Sequence, residues 1–135
     1  MINYWAILVS AIAAMVIGGI WWGPLFGKQW MAANGFDRMA PEQREAMKKS
    51  MAGAYIQQFI VALIQASVLA YLIVNFADPG AVSGMKMAAL LWLGFIAPVQ
   101  YGAKLWGGQK FSFVLLTFGN TLLTMLAMGA IIGAW

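Results

Sequence analysis

Charged side chains are absent from four long stretches of this 135-residue chain: positions 1–27, 50–77, 87–103 and 111–135. A helix that crosses a bilayer needs about 20 apolar residues at a rise of about 1.5 Å each. In lipid every backbone N–H and C=O must be satisfied internally, so a spanning segment is a helix or part of a closed barrel, and runs this long exclude barrel strands. The pattern predicts an all-α fold, an integral membrane bundle of four transmembrane helices in a single domain over 1–135. The helices are expected at about 3–23, 52–76, 83–105 and 111–134, with an interfacial loop at 24–51. Composition agrees: 63% of residues are hydrophobic and 9% charged, with a mean hydropathy of +0.79. A soluble domain this small could not bury so much apolar surface.

Histidine and cysteine are both missing. Disulfides, thiol redox chemistry, zinc sites, His-ligated haem and Ser-His or Cys-His catalysis are therefore not expected. No carboxylate lies within a predicted span, which argues against a proton relay. The expectation is a protein that is not an enzyme, with no catalytic residue, no metal site and no cofactor. The net charge of +4 is spread over sparse loop residues and does not point to nucleic acid. The partner that composition implies is the lipid bilayer.

Orientation follows from lysine and arginine. Lys28, Arg38, Arg44, Lys48, Lys49, Lys104 and Lys110 flank the first and third loops, against Lys86 alone on the other side. A seven-to-one bias places loops 1 and 3 in the cytoplasm and both termini outside, in the cell (inner) membrane. The first segment has no basic stretch ahead of its apolar run, so it reads as a retained span rather than a signal peptide. Asn3, Tyr4 and Trp5 supply an interfacial anchor at its start.

Loop 1 has structure of its own. Gly23-Pro24 predicts the end of helix 1 or a kink there. Leu25 to Ala33 reads as a short interfacial helix closed by Asn34-Gly35, with Gly27, Lys28 and Trp30 forming a turn and anchor. A second helix starts at Pro41, with Glu42 in its first turn and Lys48 and Lys49 further on. The pattern allows it to run straight into helix 2, with Gly53 as a joint.

Small residues recur four apart along helix 1 (Ala6, Ser10, Ala14, Gly18), helix 2 (Ala62, Ala66, Ala70) and helix 4 (Gly129, Gly133). Such stripes let helix backbones approach closely, either within one chain or in a homo-oligomer. A weak repeat is also visible. Trp22-Gly23 before Leu25-Phe26-Gly27 matches Tyr101-Gly102 before Leu105-Trp106-Gly107, which would make helices 1–2 and 3–4 two like hairpins.

Polar residues at membrane depth are the candidates for a site. Helix 2 carries Gln57, Gln58 and Gln65, helix 3 carries Gln100, Tyr101 and Lys104, and helix 4 carries Thr117, Asn120, Thr121 and Thr124. Lipid cannot satisfy an amide, so Gln58, Gln65, Gln100 and Asn120 are expected to turn inward, toward one another or toward water. Gln58 and Gln65 are seven apart and share a face. Pro98 should bend helix 3 just before Gln100. Lys104 is expected to extend to the interface, since no span offers it a carboxylate. Two readings compete: amides that only tie helices together, each worth about 0.6 kcal/mol, or a cytoplasm-facing polar cavity. The first is the expectation, a structural or accessory membrane protein, and the other is its alternative. The second fits a small oligomeric channel or transporter.

Trp22-Gly23-Pro24-Leu25-Phe26-Gly27-Lys28-Gln29-Trp30 resembles the signature of a membrane family, a domain of unknown function found in bacteria and fungi. Trp106-Gly107-Gly108 before a Gly-rich last helix is a second likeness. Members often have Tyr where this chain has Trp22. The resemblance covers nearly the whole chain. It implies four spans in a chain of this length and supplies no activity, ligand or catalytic residue.

Overall fold

The computed structural model describes residues 2–33, 35 and 38–135, and among them every regular element is helical. Four helices are long and apolar enough to cross a membrane: α1 (Tyr4–Leu25), α3 (Pro41–Phe76), α4 (Ala81–Gly107) and α5 (Phe111–Ala134). A short α2 (Gly27–Ala33) lies between the first two. The protein is a multi-pass membrane protein, and its boundaries show where local chemistry acts. Asn3 caps α1 by accepting the Trp5 N–H at 2.9 Å. Pro41 opens α3, where its missing N–H costs nothing, and Gln43 Oε1 accepts the Ala40 N–H at 3.3 Å. Gly108, at φ +72°, turns the chain out of α4 in a left-handed cap.

Near two of its prolines the chain differs from the sequence expectation. The first helix does not end at Gly23-Pro24. It runs on to Leu25, and its last five residues, Trp21–Leu25, form a widened π-turn in which Phe26 N–H donates to the Trp21 carbonyl at 2.8 Å. Pro24 has no N–H to return to the carbonyl four residues back, and the wider turn absorbs that loss without breaking the helix. Likewise α4 contains a π-turn at Trp92–Ile96, ahead of Pro98, closed by Ala97 N–H to the Trp92 carbonyl. As the sequence allowed, the helix from Pro41 runs straight into the second span: α3 is one helix of 36 residues that continues through Gly53. It is about 54 Å long against a hydrocarbon core of about 30 Å, so its charged first turns stand clear of the apolar layer.

The expected repeat is also set differently. The feature shared by the two halves is a Trp-x-Gly π-turn, Trp21-Trp22-Gly23 in α1 and Trp92-Leu93-Gly94 in α4. Tyr101-Gly102 lies in an ordinary stretch of helix. The cap expected at Asn34-Gly35 falls partly outside the described residues. Gly35 itself is left-handed, with φ +76°.

Central in the bundle is α5, which packs against α1, α3 and α4. The packed core sits toward the end that carries both termini, with Ile7, Leu69, Ile73, Ala88, Met128 and Ile132 buried there. The small-residue stripes serve this core from within the chain: Ala6, Ser10, Ala62, Ala66 and Ala70 are all buried. Closest of all is the α4–α5 contact. A Cβ built at Gly129 would stand 2.8 Å from Ala88 Cβ, and one at Gly133 only 3.1 Å from Gly84 Cα. The Gly80 N–H donates to the Gly133 carbonyl at 3.0 Å, tying the start of α4 to the end of α5.

Candidate functional site

Toward the loop 1 end the helices separate around a cavity of about 560 Å³. All four amides singled out in the sequence line it: Gln58 and Gln65 from α3, Gln100 from α4 and Asn120 from α5. The placement follows from helical spacing. Met51, Tyr55, Gln58, Ala62 and Gln65 form one face of α3, and Leu69 continues that face into the packed core. On α1 the opposing wall is Ala14, Gly18, Gly19, Trp22 and Gly23. Nothing lies within 4 Å of a Cβ built at Gly18, Gly19 or Gly23, so these glycines hold space open rather than admit a neighbouring helix.

A hydrogen-bonded chain anchors the α4–α5 wall. The Trp92 indole Nε1 donates to Thr121 Oγ1 at 2.9 Å, and the Thr121 hydroxyl reaches Gln100 Oε1 at 3.1 Å. Trp92 also meets Phe118 edge to face at 5.8 Å. The second π-turn is therefore pinned to α5, which holds Gln100, about one turn past its end along α4, at the cavity wall. Sequence reasoning grouped Thr121 with the polar residues at depth and passed over Trp92. The usable signal was the second Trp-x-Gly upstream of a proline.

The first π-turn meets α5 in a matching way. The Trp21 indole lies over Gly119 so closely that a Cβ there would be 2.9 Å from the ring. Among the described residues, three buried polar side-chain atoms have no hydrogen-bond partner: Ser10 Oγ, Trp21 Nε1 and Asn120 Oδ1. Trp21 belongs to this α1–α5 contact, and Asn120 is a cavity residue. An unpaired buried carbonyl costs about 1–3 kcal/mol, and the Asn120 Oδ1 is itself enclosed beside the cavity rather than exposed on its wall. Thr124, by contrast, is satisfied locally, donating to the Asn120 main-chain carbonyl at 2.8 Å.

The residues of the signature run divide in role. Pro24 lies inside the π-turn and Gly23 on the cavity wall. Gly27 is closely packed, because a Cβ there would sit 3.1 Å from the Trp22 carbonyl and the neighbour would have to give by a few tenths of an ångström. Lys28 is exposed on α2. Trp30, read from sequence as an interfacial anchor, is half-buried and lines the cavity. Lys104 stays outside the site. Its Nζ lies 5.4 Å from the centre of the Tyr101 ring and 5.9 Å from that of Phe111, at the loop 3 end of α4 and α5.

The cavity wall carries amides, hydroxyls, indoles and thioethers, and among the described residues none that lines it is Asp, Glu, Lys or Arg. Such a wall can hydrogen-bond and stack. Comparison with curated proteins and with solved structures yields no match. The family described as "Protein of unknown function (DUF1761)" matches residues 5–133, nearly the whole chain, and the protein belongs to that family.

Proposed function

We propose that the protein binds a small, uncharged, hydrogen-bonding solute in the cavity between its helices and passes it across the membrane, without catalysing a reaction. One observation carries the reading. Four amides from three helices line a single cavity of about 560 Å³. Amides that serve only to join helices would pair with one another and leave no such volume. The solute is neutral, because an ion at this depth would need a counter-charge that the lining does not contain. An accessory protein, the other reading open from sequence, would be dry at Gln65 and Asn120.

The chain contains no cysteine, so single cysteines report access directly. In nanodiscs, Gln65→Cys and Thr124→Cys should react with a small polar methanethiosulfonate reagent far faster than Ile64→Cys, which is 60% exposed on the outer face of α3. If the cavity positions react as slowly as Ile64→Cys, the core is dry and the accessory reading takes its place. The same approach tests the proposed orientation, with loops 1 and 3 cytoplasmic and both termini outside. Gln43→Cys and Ser83→Cys should label from opposite faces of a sealed membrane, and cytoplasmic labelling of position 83 would reverse it.

A further inference from the structure

A second cavity of about 350 Å³ adjoins the first at the loop 3 side, where Ala103, Gln109 and Thr117 face it. Three residues line both cavities: Trp22, Trp30 and Gln100. Both cavities also open to the molecular surface, and the side chains common to the two stand where one meets the other. We infer that Trp22, Trp30 and Gln100 are the selective aperture of the solute route, separating an outer vestibule from the inner polar chamber. The inference rests on the solute-binding reading above and adds the residues that decide what passes.

The construction of the partition accounts for the signature run. Trp22 sits in the α1 π-turn that contains Pro24, and its ring is braced against Phe113 of α5 at 5.4 Å. Its carbonyl lies against Gly27, where a Cβ would need the neighbour to give by a few tenths of an ångström. Because the chain turns so tightly there, α2 starts one residue after the π-turn, and its Trp30 N–H reaches back to the Phe26 carbonyl at 3.0 Å. Pro24, Gly27 and the two tryptophans thus act as one unit that holds two indoles at one opening. Gln100 comes from the other side of the bundle, held by the Thr121 hydroxyl on its Oε1, which leaves its amide protons available to a passing molecule. Two indoles and one amide favour a neutral molecule with an apolar face and a polar edge. They disfavour a hydrated ion, which would have to shed its water with no charge in the partition to replace it.

Cysteine modification in nanodiscs tests this, with Ala103→Cys reporting the vestibule and Gln65→Cys the inner chamber. The probes are a small and a bulky uncharged methanethiosulfonate reagent. Replacing Trp30 with alanine should raise the rate of bulky-reagent modification at Gln65→Cys by about tenfold, as expected when a gating side chain is removed. The rate at Ala103→Cys should change by less than about twofold, because that site lies ahead of the gate. Trp22→Ala should act in the same direction. If Trp30→Ala does not yield folded protein, Trp30→Leu carries the same comparison while keeping apolar bulk. A reactive Gln65→Cys whose rate ignores both tryptophan substitutions overturns the aperture and leaves the solute-binding reading standing. A Gln65→Cys that is unreactive in every background, even to the small reagent, overturns both.

Discussion

At the end of the bundle that carries the termini, Gly84, Gly129 and Gly133 let the backbones of α4 and α5 touch. At the loop 1 end, Gly18, Gly19 and Gly23 of α1 face a void. Both sets sit in apolar helices, and both recur near the four-residue spacing usually read as a packing face. The difference lies in what stands opposite. Gly84 meets Gly129 on a helix that is itself glycine at the contact, so the two main chains close on each other. Gly18 and Gly19 look across to Gln58, Gln65 and Asn120, side chains that do not fill the gap. The same residue type therefore builds a main-chain contact between two helices and the wall of a cavity. A small-residue stripe marks where a side chain is unwanted, and the partner decides whether the result is contact or space.

The sharpest way to break that distinction is to add one methyl group to each set. At Gly84 it would overlap the Gly129 carbonyl, and backbone cannot move aside as a flexible side chain can. Gly84→Ala should destabilise the protein by about 3 kcal/mol or more, toward the upper end of overpacking costs. Unfolding in a detergent titration followed by circular dichroism would measure it. Gly18→Ala and Gly19→Ala should stay within about 1 kcal/mol of the parent and lean toward stabilisation, since alanine is the better helix former. Equal losses at the two sites would mean that the void closes in the membrane.

The second test concerns the wall rather than the glycines. Thr121→Val removes the acceptor of the Trp92 indole and the partner of Gln100 Oε1 at nearly constant volume. A half-buried indole N–H would lose its bond, at a cost of about 1–2 kcal/mol. The α4 π-turn would be freed from α5, so Trp92 fluorescence and the reactivity of a cysteine at Gln100 should both change. Stability unaltered by Thr121→Val would show that the chain of bonds does not hold this wall.

The third test fills the void. Gly18→Leu places an apolar side chain in the cavity, where a Cβ at that position meets nothing within 4 Å. Stability should move by about 1 kcal/mol or less, because no backbone contact is violated. Modification of Gln65→Cys should nevertheless fall sharply. Gln65→Leu should have an equally small effect on stability, about 1 kcal/mol in either direction, and a much larger one on solute passage. A large loss of stability from either change would assign these positions to packing instead.

How far the sequence foretells this molecule depends on which interaction sets each feature. The four spans follow from where charge is absent, a one-dimensional property that the bilayer imposes directly, and α5 matches its expected range at both ends. The same solvent argument singles out Gln58, Gln65, Gln100 and Asn120, and all four line one cavity. What could not be read were features set by a partner distant in sequence. Nothing local to Trp92 says that Thr121 will stand opposite it, and nothing local to Gly18 says that no side chain will. The π-turns show a further limit. Pro24 and Pro98 announce a disturbance, but a break, a kink and a widened turn all satisfy a missing N–H, and packing of Trp21 and Trp92 on α5 selects the third.

Gly53 offers the smallest effect and the control for the rest. From the sequence it is a natural joint between a charged interfacial helix and the second span, yet α3 runs through it unbroken. It is exposed, and nothing lies within 4 Å of a Cβ built there, so it neither admits a neighbouring helix nor borders the cavity. Only backbone propensity remains. Gly53→Ala should stabilise the protein by about 0.5–1 kcal/mol, the usual difference between the two residues within a helix, and leave cysteine access to the cavity unchanged. If Gly53→Ala instead slows modification at Gln65→Cys, the long helix bends there during function. The glycines would then divide into three kinds, those that bring helices together, those that keep them apart and one that lets a helix flex, with the third invisible in any single arrangement of the chain.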